Sequence, residues 1–273
     1  MLKLLKTDLT RVLKDKLFLI SCIIGGVFAL IGPLMYKAVF AFMGADAEML
    51  EMMGAMPTAK SMLFQAFLPG GDLGLILPIL ITIVLCKDFS YGTVRNKIIA
   101  GHSRTKIFLS MLITSCIIVC GLMLAQALLT FGISLVFFEY STVAFSASEF
   151  GYILLSILLE MLVYITICSL VCFLCVFMKN AGTSVVMYVG VNFLLTIIGS
   201  IFMVSFAFAD PEKKATHFFL ELCSKTNIFT STIIGAGTSY TLKDICFVLG
   251  PCIAFTALLV FLGIVIFKKK DLK

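Results

Sequence analysis

The sequence is poor in charge and in the residues that most enzymes use for catalysis. It has no tryptophan, two histidines and 13% charged residues over 273 positions, whereas 61% are hydrophobic. Soluble domains carry about 25% charged and about 45–50% apolar residues. The sequence also lacks GxxxxGK[ST], GxSxG and HExxH patterns, which excludes a P-loop and disfavours hydrolase chemistry. These absences indicate an integral membrane protein that obtains any ATP energy from another subunit.

Long apolar runs, rather than short alternating ones, predict transmembrane helices instead of a β-barrel. A bilayer core of about 30 Å needs about 20 apolar residues in a helix. We predict an all-α protein with a single transmembrane domain over residues 1–273. The first apolar run is too long for a signal peptide, so it is interpreted as a retained span. The six predicted spans are approximately Leu17–Phe42, Phe64–Cys86, Ile107–Phe138, Gly151–Met178, Thr183–Ala209 and Ile245–Phe267.

Lysines and arginines fall mainly in segments on one side of this arrangement. Fifteen of the 21 lie in residues 1–16, in the 87–106 loop, at Lys179 and in the tail that begins at Lys268, whereas four of the 15 acids do. The positive-inside rule then places both termini and the 87–106 loop in the cytoplasm. The 210–244 loop is external in this topology, and its apolar half is interpreted either as a surface helix or as a plain loop.

Residues 1–16 present two different surfaces. Their apolar side chains recur at helical spacing, and four cations occupy much of the opposite side. This pattern predicts an amphipathic helix in the headgroup plane, with its cations near anionic lipid. The alternative is an ordinary positive flank that only sets topology. The residues are Leu2, Leu5, Leu9, Val12 and Leu13 on one side, and Lys3, Lys6, Arg11 and Lys14 on the other.

Glycine, proline and cysteine also mark the spans. Glycine and proline interrupt the first predicted span around 25–33 and the second around 69–78, which indicates either packing kinks or elements that line a substrate path. Most of the ten cysteines lie inside spans, where they behave as small hydrophobic residues. Cys168, Cys172 and Cys175 share a helix face, but no histidine lies in a span, so no metal site is predicted.

The 87–106 loop, KDFSYGTVRNKIIAGHSRTK, separates two nearly unbroken apolar stretches. A short helix is predicted over Val94–Ala100, with Thr93 near its cap and Gly101 at its end. Ser103 is then placed to cap the helix that continues into the third span. The loop is therefore predicted to form a rigid helix–turn–helix at the membrane surface, which suits docking onto a cytoplasmic partner.

The segment KDFSYGTVRNKIIAGHSRTKIFLSM resembles the signature segment of ABC-2-type transporter permeases. The acid is more often Glu in that family, and Pro more often stands at the position of His102. The basic N-terminal helix, the six spans and the ending from Phe267 to Leu272 are also similar. The matching residues in the loop are Asp88, Gly92, Thr93, Gly101, Ser103 and Arg104.

This resemblance implies a type V exporter-like architecture in a bacterial plasma membrane. The chain would be the permease subunit of an exporter for a hydrophobic or amphipathic cargo, similar to small antibiotic or lantibiotic-immunity permeases. Two separate ABC ATP-binding subunits would bind ATP and Mg²⁺, a second permease would complete a homo- or heterodimer, and lipids would surround the spans. The resemblance implies no cofactor, catalytic residue or nucleic acid. The residues implied to couple to the ATPase are Asp88, Gly92, Thr93, Arg95, Asn96, Gly101, Ser103 and Arg104.

Glu160 lies well inside the fourth predicted span, where a carboxylate costs about 2.5–3.5 kcal/mol. It is interpreted either as a cavity-facing group that meets a cationic part of the cargo, or as a neutral acid that joins helices. Gln126 and Asn192 are its candidate partners, and the three form a predicted pathway set. Two other functions stay open: an ion-coupled secondary transporter that uses Glu160, and a non-transporting docking or signalling protein.

Overall fold

The computed structural model describes residues 1–43, 57–69, 72–141, 146–209, 214–227 and 241–270. Within these residues every regular element is an α-helix. In chain order the helices are α1 (Leu2–Leu13), α2 (Lys16–Met43), α3 (Ala59–Ala66), α4 (Asp72–Ser90), α5 (Thr93–Ile99), α6 (Arg104–Phe137), α7 (Ala147–Met178), α8 (Ala181–Ala207), α9 (Lys214–Lys225) and α10 (Leu242–Lys269).

Helices α2, α4, α6, α7, α8 and α10 are each long enough and apolar enough to cross a membrane. The prediction of an all-helical protein with six helices able to span a membrane is therefore confirmed for the described residues. Apart from α4, each spanning helix begins and ends within four residues of its predicted bounds. α6 has 34 residues, about 50 Å of helix, so it tilts or extends beyond a hydrocarbon core of about 30 Å.

The second predicted span began too early. Its first predicted residues belong to the short helix α3, and the spanning helix α4 begins only at Asp72. Pro69 has no N–H and disfavours helical backbone at Leu68, which explains why one continuous helix does not pass this point. The Phe67 carbonyl accepts a 2.8 Å hydrogen bond from the Tyr164 hydroxyl of α7. Residues 70 and 71, part of the predicted interruption, lie outside the described residues.

α7 lies at the centre of the bundle and packs against α4, α6, α8 and α10. Its side chains Tyr164, Ile167 and Cys172 are completely or almost completely buried. In contrast, α2 and α8 leave large apolar side chains exposed, including Ile23 and Val186. Such faces meet lipid or another helix in a membrane protein.

α1 and the 87–106 loop lie at one end of the bundle, here called the α1 end, and α9 lies at the other, the α9 end. α9 confirms a helix for residues 218–225 of the apolar half-loop, whereas residues 228–240 and 44–56 lie outside the described residues. Phe219 packs edge-on against Phe202 of α8, with ring centroids 6.3 Å apart. Lys225 lies 3.2 Å from Asp244, so an ion pair also joins α9 to the start of α10.

Candidate functional site

The segment between α4 and α6 forms the predicted helix–turn–helix. Gly92 (φ 68°) and Gly101 (φ 87°) flank α5 in the left-handed conformation, which glycine adopts without steric cost. Gly92 takes the N-cap position of α5, and Thr93 is the first helical residue. Glycine has no side chain, so this cap position provides no side-chain hydrogen bond to the helix. The Ser103 hydroxyl caps α6, because it accepts the backbone N–H of Lys106 at 3.4 Å.

A group of four charges, here called the ionic cluster, joins α1 to this loop; Asp8, Asp88 and Lys97 are buried and Arg11 is 35% exposed. Arg11 Nη2 donates to Asp88 Oδ2 at 2.6 Å. Lys97 Nζ lies 2.7 Å from Asp8 Oδ1 and 3.4 Å from Asp88 Oδ2. The Ser110 hydroxyl on α6 donates to Asp8 Oδ2 at 2.7 Å. One cluster therefore connects α1, α4, α5 and α6.

Burial makes the ionic cluster sensitive to the loss of any member. The Asp88 side chain is fully buried, and those of Asp8 and Lys97 are nearly so. Burial lowers the pKa of the Lys97 ammonium, and the hydrogen bond to Asp8 opposes that shift. Burial likewise lowers the pKa of the Arg11 guanidinium, against the attraction of Asp8. Two cations and two anions balance, so the loss of one member leaves an uncompensated charge and is costly.

A second ion pair holds the loop to the turn between α1 and α2. Lys87 Nζ lies 2.8 Å from Asp15 Oδ2. Burial acts to raise the pKa of the Asp15 carboxyl, but the hydrogen bonds from Lys87 and from the Leu17 backbone bring the pKa below its ordinary value. Lys87 at the start of the loop and Lys97 in α5 are thus both paired with acids of the N-terminal segment.

The Arg104 side chain is hydrogen-bonded to the C-terminal end of α10. Its Nη1 donates to the carbonyls of Phe267, Lys268 and Lys270 at 2.8–3.0 Å. A cation at a helix C-terminus satisfies carbonyls that have no partner within the helix and interacts favourably with the helix dipole. Lys270 in turn donates to the Val176 carbonyl near the end of α7 at 3.1 Å. Arg104 therefore fixes the tail that follows the last span.

The loop exposes a small surface, here called the loop face, made of Tyr91, Arg95, Asn96 and Ile99. Tyr91 is 77% exposed and Ile99 is 75% exposed. Arg95 and Asn96 are also exposed and lie between them in the chain. Exposed tyrosine and arginine beside an apolar side chain are typical of protein–protein contact surfaces. The loop face is thus an exposed surface, partly on α5 and partly on the turn before it, next to residues that the ionic cluster holds in place.

The predicted pathway residues Glu160, Gln126 and Asn192 are all buried in the bundle. Glu160 Oε2, both polar side-chain atoms of Gln126 and Asn192 Nδ2 have no hydrogen-bond partner among the described residues. Neither amide therefore donates to Glu160, and the expected pairing is not formed. Unpaired buried polar groups are costly, so these three mark places where the bundle is not optimised for stability.

The structure gives the predicted coupling residues three different positions. Arg95 and Asn96 are exposed, Arg104 is bonded to the tail, and the others shape or anchor the loop. Sequence reasoning missed three members of the ionic cluster, Asp8, Arg11 and Lys97. A signal was present: Asp8 is four residues from both Leu4 and Val12, which form the buried stripe of α1. An acid in the middle of an apolar helix stripe indicates a buried partner.

These features define the class of the protein: a helical protein with six helices able to cross a membrane and a short, anchored helix between two of them. Over residues 18–273 the chain matches the DUF2705 family of proteins of unknown function, and it belongs to that family. The match includes the loop and all six spans, and begins after α1. No curated protein matches the chain.

Proposed function

We propose that this chain is the permease subunit of an ATP-driven exporter of the ABC-2 type. It spans a bacterial plasma membrane with both termini in the cytoplasm and moves a hydrophobic or amphipathic cargo such as a peptide, antibiotic or lipid-like molecule. Because the sequence has no P-loop, two separate ATP-binding subunits bind ATP and Mg²⁺. A second permease, identical or different, completes the dimer.

The loop face is the observation that carries this proposal. Tyr91 and Ile99 are large, apolar and exposed at the polar end of a membrane bundle, where water would otherwise solvate them at a cost. Tyr91 lies in the turn before α5 and Ile99 is the last residue of α5, and this segment is anchored because Lys97 is buried against Asp8 and Asp88. A rigid exposed patch of this kind supports docking of a folded cytoplasmic partner.

The ionic cluster also supplies a route by which a partner's movement reaches the spans. Lys97 belongs to α5, Asp88 to α4 and Asp8 to α1, and Asp8 is hydrogen-bonded to Ser110 of α6. Pressure on the loop face therefore acts on the α1-end turns of α4 and α6 together. Closing of an ATPase dimer would change the packing of both spans in one step.

The first prediction concerns the partner at the loop face. A photoactivatable phenylalanine placed at Tyr91 or at Ile99 is expected to cross-link, in native membranes, to a protein that carries GxxxxGK[ST]. Mass spectrometry of the cross-linked product checks this result. The physical reason is that the side chains of Tyr91 (77% exposed) and Ile99 (75% exposed) lie on the proposed docking surface.

The matched control is the same photoactivatable residue at Phe218, which is 53% exposed on α9 at the other end of the bundle. It should not capture the ATP-binding protein. Cross-linking at Tyr91 to a protein without a P-loop would instead support a docking or signalling role. Equal capture of the ATP-binding protein from Phe218 would sink the assignment of the loop face.

One observation favours a second candidate function, ion-coupled transport without an ATPase. Glu160 is buried at 3% exposure, and its Oε2 has no hydrogen-bond partner among the described residues. Acids in this situation occur in proton and ion pathways. Glu160 would then take up and release a proton or hold a cation as the bundle changes shape.

The second prediction separates these functions. In proteoliposomes that contain this chain without an ATPase, a pH-sensitive dye should report no proton flux that depends on Glu160. Glu160→Gln should also unfold at about the same temperature as the unmodified protein, because the amide keeps the shape of the carboxyl group and removes only the possibility of a buried negative charge. A proton flux that Glu160→Gln abolishes, with stability unchanged, would favour ion coupling over the ATP-driven mechanism.

A further inference from the structure

A long apolar cleft lies between α8 and α10 on the side of the bundle that faces away from the α4–α6 packing. Both helices pack on α7 but scarcely on each other. The cleft has a volume of about 440 Å³, whereas two other cavities hold about 10 Å³ each. Its size falls in the range of sites that bind small molecules, about 300–1,000 Å³.

The walls of the cleft are apolar almost throughout. Thr166 and Leu170 of α7 form part of its floor, Leu195 of α8 and Leu259 of α10 belong to its two sides, and Asn227 lies at its α9 end. The Thr166 hydroxyl already contacts Thr256 and the Cys252 carbonyl. The interior of the cleft therefore suits hydrocarbon better than a polar ligand.

The length and the apolar lining of the cleft suit an acyl chain as the occupant. The cleft follows α8 from Val191 to Phe202, a distance of about 16 Å along the helix. An extended hydrocarbon chain is narrow enough, and it can enter directly because Ile198 and Leu258 at the sides are partly exposed.

Charged groups lie at the α9 end, close to where the cleft finishes. Lys225 pairs with Glu221 at 3.0 Å and with Asp244 at 3.2 Å, and Lys243 pairs with Glu221 at 2.8 Å. The rim thus carries two cations and two anions next to an apolar cleft. The hydrogen bond from Lys243 lowers the pKa of the Glu221 carboxyl, so both signs of charge persist at neutral pH. A balanced rim matches a headgroup that itself has both signs.

We propose that the cleft between α8 and α10 binds one acyl chain of a zwitterionic membrane phospholipid, whose headgroup lies on the charged rim of α9 and α10. This site is separate from the loop face and does not require an ATPase partner. The bound lipid fills space that the bundle leaves between α8 and α10 and connects both helices to α9. The energy comes from close packing against the walls and from the rim charges.

The test uses the full chain in phosphatidylcholine nanodiscs that contain a phosphatidylcholine with a diazirine near the end of one acyl chain. After irradiation, mass spectrometry should locate adducts at Leu170, Leu195 or Leu259 several-fold more often than at Ile23, a lipid-exposed residue of α2. Leu195→Trp, which fills the cleft, should reduce the labelling at Leu170 and Leu259 several-fold.

Leu194→Trp is the matched control. Leu194 directly precedes Leu195 in α8, is 56% exposed and does not line the cleft. It should leave the cleft labelling unchanged, and thermal unfolding of both variants shows whether they remain folded. Equal labelling of the cleft and of Ile23, or labelling that Leu195→Trp does not change, would overturn the proposal. Cross-links between two copies of the chain here, or a co-purified amphiphile of another class that displaces the lipid, would do the same.

Discussion

Replacing Lys97 with methionine is expected to destabilise the protein by about 3–5 kcal/mol. Methionine keeps the length and apolar stem of the side chain, so little packing is lost. Loss of the Lys97 ammonium leaves Asp8 and Asp88 buried, with Arg11 as the remaining cation in the ionic cluster. A buried carboxylate without a partner is far more costly than the original pair was favourable. The loop and α1 should therefore separate from the bundle first.

The ten cysteines of the chain provide the measurement. Because thiols such as Cys86 and Cys175 are completely buried, a thiol-reactive fluorescent dye reports thermal unfolding directly. Lys106→Met is the control, since Lys106 is an exposed cation of the same loop, and it should change stability little. Asp8→Asn combined with Lys97→Met should recover part of the loss. Equal unfolding temperatures for Lys97→Met and Lys106→Met would show that the cluster does not hold the loop.

Local signals were sufficient to predict the loop's own structure. Gly101 ends α5 with a positive φ and Ser103 caps α6, as predicted, whereas Gly92 rather than Thr93 takes the cap position of α5. The six spans were predictable for the same reason, since length and apolar content are properties of a continuous segment. These features depend on neighbours within a few residues.

The anchoring of the loop depends on residues far apart in the chain. Arg11 and Asp88 are 77 positions apart, and Arg104 bonds to carbonyls more than 160 positions away. Composition and periodicity carry no information about such pairs. Arg104 was accordingly assigned to a partner protein through the family resemblance, although its Nη1 is bonded within the chain. The exposure of Tyr91, in the turn before α5, and of Ile99, at the end of α5, was missed because it depends on which side of the loop the ionic cluster buries.

The interruption before α4 could not be fully predicted from the sequence either, although the residues involved are close together in the chain. Pro69 and its neighbouring glycines were visible in the sequence, and they were interpreted either as a packing kink or as an element that lines a substrate path. The outcome depends on contacts from α7, where Tyr164 bonds to the Phe67 carbonyl. The same contact leaves no space at Gly74 in the first turn of α4, so a small residue there is a requirement of packing between helices.

Gly74→Ala is expected to destabilise the protein by about 2–4 kcal/mol, through overpacking and the disturbance of one buried hydrogen bond. A Cβ atom at this position would overlap the Leu68 carbonyl oxygen and lie 2.7 Å from the Tyr164 hydroxyl. The Leu68 oxygen is backbone and cannot rotate away, so the turn before α4 must move. Thermal unfolding with the thiol-reactive dye measures the loss.

Gly121→Ala on α6 is the matched control, because a Cβ atom there meets nothing within 4 Å. It should leave stability unchanged or raise it slightly, since alanine favours helix more than glycine by about 1 kcal/mol. Adding Tyr164→Phe to Gly74→Ala should relieve one overlap and leave the other, so the double variant stays less stable than Tyr164→Phe alone. If Gly74→Ala unfolds at the temperature of Gly121→Ala, α7 does not press on this turn, and the interruption before α4 depends on Pro69 alone.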